Sequence, residues 1–170
     1  MSVAQRSDAE MSSAVQQDTE QYLTFILAGQ EYGVDILRVQ EIKGWDKVTP
    51  LPNTPEYVRG VINLRGTIVP IIDLRQRFRL ETISYGPTTV VIMLKVVSET
   101  GQRIMGVVVD GVSEVYNVSA SDIKVAPELG EHVDSEVVCG LATVDGKMVI
   151  LVDIDKLLAE SSLLAVKKTP

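Results

Sequence analysis

Few side chains in this sequence are suited to chemistry, and they are scattered. His132, the single histidine, lies in a polar stretch, where a solvated loop histidine is more common than a catalytic or metal-binding one. Cys139, the single cysteine, lies in an apolar run, so we predict a buried free thiol. The patterns Cys-x-x-Cys, His-x-x-His and Gly-x-Ser-x-Gly do not occur. The sequence therefore predicts no enzyme, no metal site and no cofactor.

Two aspartates, Asp73 and Asp153, are the remaining candidates for acid–base chemistry. Each follows an apolar strand and begins a short predicted helix, where an aspartate side chain accepts hydrogen bonds from free backbone N–H groups. We therefore predict that both aspartates cap helices. Gly60 and Gly66 flank a segment that lacks the Gly-Lys-Ser/Thr ending of a phosphate loop and precedes a strand, so nucleotide binding is not predicted.

The composition favours a β-rich protein of the cytoplasm. Of 170 residues, 45% are hydrophobic, mainly Val, Ile and Leu, and only 5% are aromatic, which is typical of an aliphatic core built from strands. The net charge of −7 argues against nucleic acid and anionic lipid as partners, because both are bound through Lys and Arg. No secretion signal begins the chain, and no apolar run approaches the roughly 20 residues of a membrane span. We expect no direct membrane insertion.

Short apolar segments alternate with turn signals along the chain. Residues 1–20 are polar and predict a disordered leader, residues 21–160 predict the folded domain, and residues 161–170 predict a C-terminal tail. The Asp145-Gly146 pair between two apolar runs is the strongest hairpin signal. Short helices are predicted at residues 36–42, 55–60 and 74–78, after Ser119, and at the C-terminal end over residues 154–164.

An internal repeat relates the two halves of the sequence. A shift of 80 residues aligns residues 60–78 with 140–158, and it places Asp73 on Asp153. A second shift, of 73 residues, places Gly33 on Gly106. Each unit is too small to bury a core alone, so we predict two related β-units packed together, with a groove between them for a partner.

A few residues are candidates for a binding surface. A tight turn needs Gly66 but does not need Arg65 beside it, so Arg65 is either a solvated turn charge or a charged anchor for a partner. Trp45, the single tryptophan, either covers the core or supplies a hydrophobic anchor. By spacing alone, Val39 and Val112 are more often core residues than partner contacts.

Six segments carry a resemblance to a known family. They are Glu31–Ile36, Val39–Ile42, Asn53–Pro55, Gly60–Gly66, Ile68–Leu74 and Val108–Val112. Together they resemble the CheW-like family of bacterial chemotaxis coupling proteins. The resemblance extends from Gln21 to Leu158, nearly all of the predicted folded domain.

The resemblance implies a mostly β fold of two related five-stranded SH3-like β-barrels, packed together, with short helices and a C-terminal helix. It also implies a non-catalytic adaptor in signalling arrays. The implied partners are the cytoplasmic tips of methyl-accepting chemoreceptors and the regulatory domain of the histidine kinase CheA. Other copies of the coupling protein, in array rings, are a further implied partner. The protein is then recruited from the cytoplasm to membrane-associated arrays.

The resemblance also assigns residues to these contacts. Eight positions match the groove that takes the receptor tip: Val39, Glu41, Arg65, Gly66, Val91, Gly106, Val112 and Val115. Six positions are implied kinase contacts, in a loop and at a second, ring-completing place: Trp45, Asp46, Val48, Leu51, Lys124 and Leu129.

Other functions stay open for the sequence. The first is an adaptor of the same fold in another chemosensory pathway, such as surface motility or second-messenger control. A second is a regulatory module normally fused to a kinase or receiver domain, which the length of the chain disfavours. A third is a small-ligand-binding β-barrel, which requires an enclosed polar pocket.

Overall fold

The computed structural model describes residues 19–80, 84–125 and 137–159. These residues form a mostly β structure with two four-residue helices and two 3₁₀ turns, at Ile36–Arg38 and Ala120–Asp122. The strands are β1 (Thr19–Leu27), β2 (Gln30–Asp35), β3 (Val39–Gly44), β4 (Val58–Leu64), β5 (Thr67–Asp73), β6 (Val90–Ser98), β7 (Gly101–Val109), β8 (Gly111–Ser119), β9 (Ile123–Lys124), β10 (Val138–Val144) and β11 (Lys147–Val152). The helices are α1 (Leu74–Arg77) and α2 (Ile154–Leu157).

The strands form two packed sheets. One sheet has the order β8-β1-β2-β11-β10-β9, and the other has the order β3-β6-β7-β5-β4. Neighbouring strands are antiparallel except for the parallel pairs β5–β7 and β2–β11. The prediction of a mostly β fold with two packed β-units and short helices is confirmed, although one of the two sheets has six strands where five were predicted.

The core explains why the sheets pack as one body. The largest cluster of buried side chains combines residues from both sheets, including Phe25 and Tyr32 from the first and Ile92 from the second. Phe25, Tyr32 and Phe78 stack in a row, with ring centroids 5.9 and 5.7 Å apart. Each sheet also encloses a smaller cluster of its own. Both sheets are therefore curled around side chains while sharing a central core.

Tight hairpins connect the strands where the sequence predicts them. Asp145 and Gly146 both have positive φ, 50° and 77°, as a two-residue type I′ turn requires. Ala28-Gly29 and Arg65-Gly66 have the same signs of φ, so the turns β1–β2, β4–β5 and β10–β11 share one geometry. These turns match the right-handed twist of the strands they join.

The repeat is visible in the structure, although the two sheets do not correspond to the two halves of the sequence. The succession β4-β5-α1 recurs as β10-β11-α2, and Gly33 lies opposite Leu151 just as Gly106 lies opposite Ile71. However, β3, β4 and β5 share a sheet with β6 and β7 from the second half, while β1 and β2 join β8, β10 and β11. Each sheet therefore takes strands from both halves of the chain.

Several local predictions differ from the structure. The predicted helix at residues 36–42 ends at Arg38, because the residues of β3 alternate between half-buried and exposed, the period of a strand. The predicted helix at residues 55–60 is wrong, since these residues form a turn and the start of β4. The C-terminal helix spans Ile154–Leu157, and residues from 160 onward lie outside the described part. Strand β1 begins at Thr19, two residues inside the predicted leader.

The prediction that Cys139 is buried is wrong. Its neighbours Val138 and Gly140 are buried, but the thiol itself is on the surface. The alternation of β10 explains the difference, because Val138, Gly140 and Ala142 face the interior and Cys139 and Thr143 face the opposite side of the strand.

The prediction that Asp73 and Asp153 cap helices is confirmed. Each of these helices, α1 and α2, also forms an ion pair with a connection that crosses from one sheet to the other. Asp73 accepts from the backbone N–H of Arg75, and Asp153 accepts from the N–H groups of residues 155 and 156. Arg75 of α1 pairs at 2.9 Å with Asp110, between β7 and β8. At the equivalent position of α2, Asp155 pairs at 2.8 Å with Arg38, between β2 and β3. The two ion pairs thus hold equivalent connections between the sheets, but the arginine lies on the helix in one pair and on the connection in the other.

Replacing Asp155 by asparagine tests the second of these pairs through its pH dependence. Burial raises the pKa of Asp155, but hydrogen bonds from Arg38 and from the Val97 N–H outweigh burial and hold the pKa below its ordinary value. The carboxylate therefore stabilises the native state at neutral pH, and this contribution is lost as the pH falls through the lowered pKa. We expect Asp155→Asn to lower the free energy of unfolding by about 1 kcal/mol at neutral pH and by almost nothing at about pH 2. Urea unfolding at both pH values measures the difference; an equal loss at both would contradict it.

Candidate functional site

The charged part of the predicted receptor surface is an ion pair between residues from opposite edges of the five-stranded sheet. Glu41 lies on β3 and Arg65 in the β4–β5 turn, so the two residues belong to opposite edges of that sheet. The Arg65 guanidinium donates a hydrogen bond to the Glu41 carboxylate. Nearby, Thr49 and Val61 exchange two backbone hydrogen bonds of 2.9 Å. The ion pair therefore joins the β4–β5 turn to β3, and the two backbone hydrogen bonds join the loop after β3 to β4.

The Glu41–Arg65 pair is available to a partner. The side chain of Arg65 is 70% exposed and that of Glu41 is 29% exposed. An ion pair with this much solvent contact contributes little to stability. Gly66 is also exposed, beside Arg65 in the same turn. The pair can therefore be rearranged by a binding partner at small cost to the fold.

The valines of the predicted receptor surface lie on two equivalent edge strands. Val39 on β3 and Val112 on β8 are half-buried, and both pack against the core that the sheets share. Val115, further along β8, is 46% exposed. The hydrogen-bonding edges of β3 and β8 that face away from their sheets have no strand partner among the described residues. Apolar side chains are thus presented where the two sheets meet.

Val91 and Gly106 take a different place, in the interior of the five-stranded sheet. Val91 is 4% exposed, and Gly106 is buried. A Cβ atom on Gly106 would lie 2.8 Å from Val91 Cγ1 and 2.7 Å from Ile71 Cδ1. These two positions support the surface from beneath, and the structure does not present them on it.

The loop that carries the first predicted kinase contact adjoins the same sheet. Trp45 and Val48 are half-buried and pack against its interior cluster, while Asp46 and Leu51 are exposed. The Asp46 carboxylate accepts a 2.7 Å hydrogen bond from the Lys47 N–H. A cavity of about 220 Å³ lies between this loop and the strands, lined in part by Asp46, Val48 and Val91. The loop therefore combines an exposed tip with a fixed base.

The second predicted kinase contact lies on the other sheet. Lys124 is exposed in β9, where it pairs with Leu141 of β10 at the sheet edge. Leu129 lies outside the described residues. The structure therefore places Lys124 on a different sheet from the one that the loop at Trp45 adjoins.

A buried network behind Trp45 was not predicted. The indole of Trp45 stacks on the ring of Tyr85, with centroids 4.1 Å apart, and the Tyr85 hydroxyl donates a 2.9 Å hydrogen bond to Asp73. Asp73 and Arg75 are fully buried and paired at 3.0 Å. Burial, together with the hydrogen bond to Asp73, raises the pKa of Tyr85 to about 12. The only sequence signal was that Arg75 follows a capping aspartate, and nothing in the sequence pointed to Tyr85.

Grouped metal ligands and membrane-spanning helices are both absent from residues 19–80, 84–125 and 137–159. In these three ranges, no three His, Cys, Asp or Glu side chains are grouped so that they could hold a metal ion. Within the same ranges, no helix has both the length and the apolar character that a membrane crossing requires.

This chain is similar in sequence and in fold to proteins of one known family. The CheW-like domain family matches residues 21–162. A chemotaxis protein CheW of Klebsiella aerogenes is 49% identical over 144 residues, which cover 85% of this chain and 84% of the relative. A chemotaxis protein CheW of Rhizobium meliloti is 36% identical over 133 residues, covering 78% and 83%. The crystal structure of the scaffolding protein TtCheW from Thermoanaerobacter tengcongensis superposes with a TM-score of 0.75 at 31% identity, covering 84% of this chain and 90% of that one.

The two packed sheets are the fold of the solved relative, which is described as a scaffolding protein. The chain belongs to the CheW-like domain family of chemotaxis proteins.

Proposed function

We propose that this protein is a non-enzymatic adaptor that couples transmembrane chemoreceptors to the histidine kinase CheA. The observation that carries the proposal is the exposed Glu41–Arg65 pair, whose Glu41 lies on β3 together with the half-buried Val39. Family membership supports it, since the relatives bear the names of chemotaxis and scaffolding proteins.

The receptor side of the proposal is a helix bound in a groove. An amphipathic helical tip places apolar side chains in such a groove, and charged residues at the rim fix its orientation. Val39, Val112 and Val115 supply apolar surface, while Arg65 and Glu41 supply the charges. Val91 and Gly106 act by packing beneath this surface.

The kinase side of the proposal uses two places. The loop from Trp45 to Leu51 contacts the regulatory domain of CheA, and the region of Lys124 and Leu129 contacts a second neighbour in an array ring. Binding two partners at once raises the effective concentration of each for the other. The state of the receptor then biases kinase activity through the relative positions in which the adaptor holds the two partners. The adaptor works in the cytoplasm at membrane-associated arrays. It uses no cofactor and binds no nucleic acid.

Replacing Arg65 tests the receptor surface. We expect Arg65→His to weaken binding of a soluble receptor-tip fragment by about tenfold or more, because a charged anchor at an interface contributes 1.4 kcal/mol or more. The free energy of unfolding should change by less than about 1 kcal/mol, since the ion pair is largely solvated. Val39→Asp should also abolish receptor binding, because it places a charge in the apolar part of the groove.

Arg103→His is the matched control, because Arg103 is an exposed arginine on β7 of the same sheet but outside the predicted surface. Titration calorimetry with the receptor fragment gives the affinities, and urea unfolding gives the stabilities. Unchanged receptor affinity in both Arg65→His and Val39→Asp would remove this surface from the receptor site.

A further inference from the structure

Trp45 is held by Tyr85, which belongs neither to the predicted receptor contacts nor to the predicted kinase contacts. Its ring and that of Tyr85 are nearly parallel, at 12°, with centroids 4.1 Å apart. Its backbone N–H also donates a 3.1 Å hydrogen bond to the carbonyl of Thr89. Arg59 lies over the Tyr85 ring as well, 5.6 Å from its centroid. The base of the loop is therefore built on Tyr85.

Tyr85 is in turn fixed by buried charges. Its hydroxyl donates to Asp73 Oδ2 at 2.9 Å. The two Asp73 oxygens also accept from Arg75 Nε and Nη2, at 3.1 and 3.0 Å. Asp73 and Arg75 have no exposed side-chain surface, so these hydrogen bonds are shielded from water and have few alternatives.

The network continues to the crossing between the sheets. Arg75 Nη1 donates to Asp110 Oδ1 at 2.9 Å, and Asp110 Oδ2 accepts from the Ala28 N–H at 2.8 Å. Asp110 lies between β7 and β8, and Ala28 lies in the β1–β2 turn of the six-stranded sheet. A continuous path of contacts therefore joins Trp45 to the junction of the two sheets.

We propose that Tyr85 is a positioning residue that holds the loop from Trp45 to Leu51 in the shape that the kinase regulatory domain binds, with Asp73, Arg75 and Asp110 anchoring Tyr85 to the sheet junction. This inference rests on the proposed function of the loop as a kinase contact. An aromatic anchor contributes most to binding when it is already held in its bound position, because ordering it on association would oppose binding. Tyr85 supplies that order without touching the partner.

Trp45 makes the inference testable, since it is the single tryptophan and its fluorescence reports only on this loop. Tyr85→Leu removes the stacked ring and the hydroxyl, while Tyr85→Phe keeps the ring and removes only the hydrogen bond to Asp73. Tyr22→Phe is the matched control, because the Tyr22 hydroxyl donates an equivalent 2.9 Å hydrogen bond to Glu20 in the other sheet. Far-UV circular dichroism verifies folding, and Tyr85→Phe keeps the test valid if Tyr85→Leu does not fold.

Trp45 quenching and partner affinity are measured for each full-length variant and compared with the values for the unsubstituted protein. Acrylamide quenching of Trp45 should rise in Tyr85→Leu, rise less in Tyr85→Phe and stay constant in Tyr22→Phe. Affinity for the purified CheA regulatory domain should fall about tenfold in Tyr85→Leu and about threefold in Tyr85→Phe. Affinity for the receptor-tip fragment should stay within about twofold in all three variants, because neither Tyr85 nor Tyr22 is one of the residues assigned to the receptor surface.

The outcomes separate the inference from the proposed function. If the unsubstituted protein binds the regulatory domain and both Tyr85 variants bind it equally well, the positioning role is overturned and the adaptor function stands. Unchanged quenching in both variants would overturn the role as well. If the unsubstituted protein does not bind the regulatory domain, the proposed kinase contact fails first, and the positioning role for that partner fails with it.

Discussion

Replacing Arg75 by methionine is expected to lower the free energy of unfolding by about 3–5 kcal/mol. The guanidinium is fully buried and pairs with Asp73 at 3.0 Å and with Asp110 at 2.9 Å. Methionine keeps much of the side-chain volume but leaves the Asp73 carboxylate, which has no exposed surface, without its charge partner. A buried charge without a partner costs far more than the pair itself contributes. Urea unfolding followed by far-UV circular dichroism measures the loss.

The matched control is Arg38→Met, at the equivalent crossing between the sheets. Arg38 and Asp155 are 30% and 29% exposed, so water can replace the lost partner. We expect this substitution to cost about 1 kcal/mol or less. A loss in Arg75→Met as small as that in Arg38→Met would contradict the assignment of Arg75 as a buried structural charge.

Replacing Gly60 by alanine is the second change with a large expected effect. Gly60 has a φ of +143°, and a Cβ atom there would lie 2.2 Å from the carbonyl oxygen of Thr49. The neighbour is backbone and cannot rotate away, so the Thr49–Val61 pairing that holds the loop after β3 against β4 would have to open. We expect a loss of about 3 kcal/mol or more in the free energy of unfolding, because steric overlap and backbone strain add. Thermal unfolding and acrylamide quenching of Trp45 measure stability and loop order together.

Gly44→Ala is the control for Gly60→Ala. Gly44 ends β3 in the same sheet, and a Cβ atom there would meet no heavy atom within 4 Å. We expect its stability to change by less than about 0.5 kcal/mol. If Gly60→Ala unfolded at the same temperature as Gly44→Ala, the close approach of Thr49 to β4 would be wrong.

The sequence was informative where the structure depends on neighbours along the chain. The Asp145-Gly146 turn, the caps at Asp73 and Asp153 and the alternating strands all follow from local rules of backbone geometry. The repeat also predicted that β4-β5-α1 and β10-β11-α2 are equivalent. It did not predict that each sheet combines strands from both halves, because similarity between segments does not determine which segments pair.

The remaining features depend on contacts between distant residues. Asp155 is 117 residues from Arg38, and Asp110 is 35 residues from Arg75. No periodicity predicts such pairs. Cys139 was predicted to be buried because its neighbours are apolar, but the alternation of β10 places it on the exposed face of the strand. Glu41 and Arg65 are 24 residues apart, and their side chains pair between β3 and the β4–β5 turn.

The equivalent ion pairs suggest why this architecture suits a scaffold. Both connections that cross between the sheets are fixed to a cap helix, one by Asp110 with Arg75 and the other by Arg38 with Asp155. Fixed crossings hold the sheets in one relative orientation, so surfaces on different sheets keep a constant geometry. An adaptor that transmits receptor state through geometry requires this rigidity.

The central claim is tested most directly by co-sedimentation of the purified protein with CheA and receptor-containing membranes, with kinase activity assayed in the same samples. The adaptor proposal predicts that the protein sediments with both partners and that receptor ligand then controls phosphorylation. Arg65→His should lose receptor association while still binding CheA, and Tyr85→Leu should show the opposite loss. Failure of the unsubstituted protein to bind either partner, with no effect on receptor-controlled kinase activity, would contradict the proposed function.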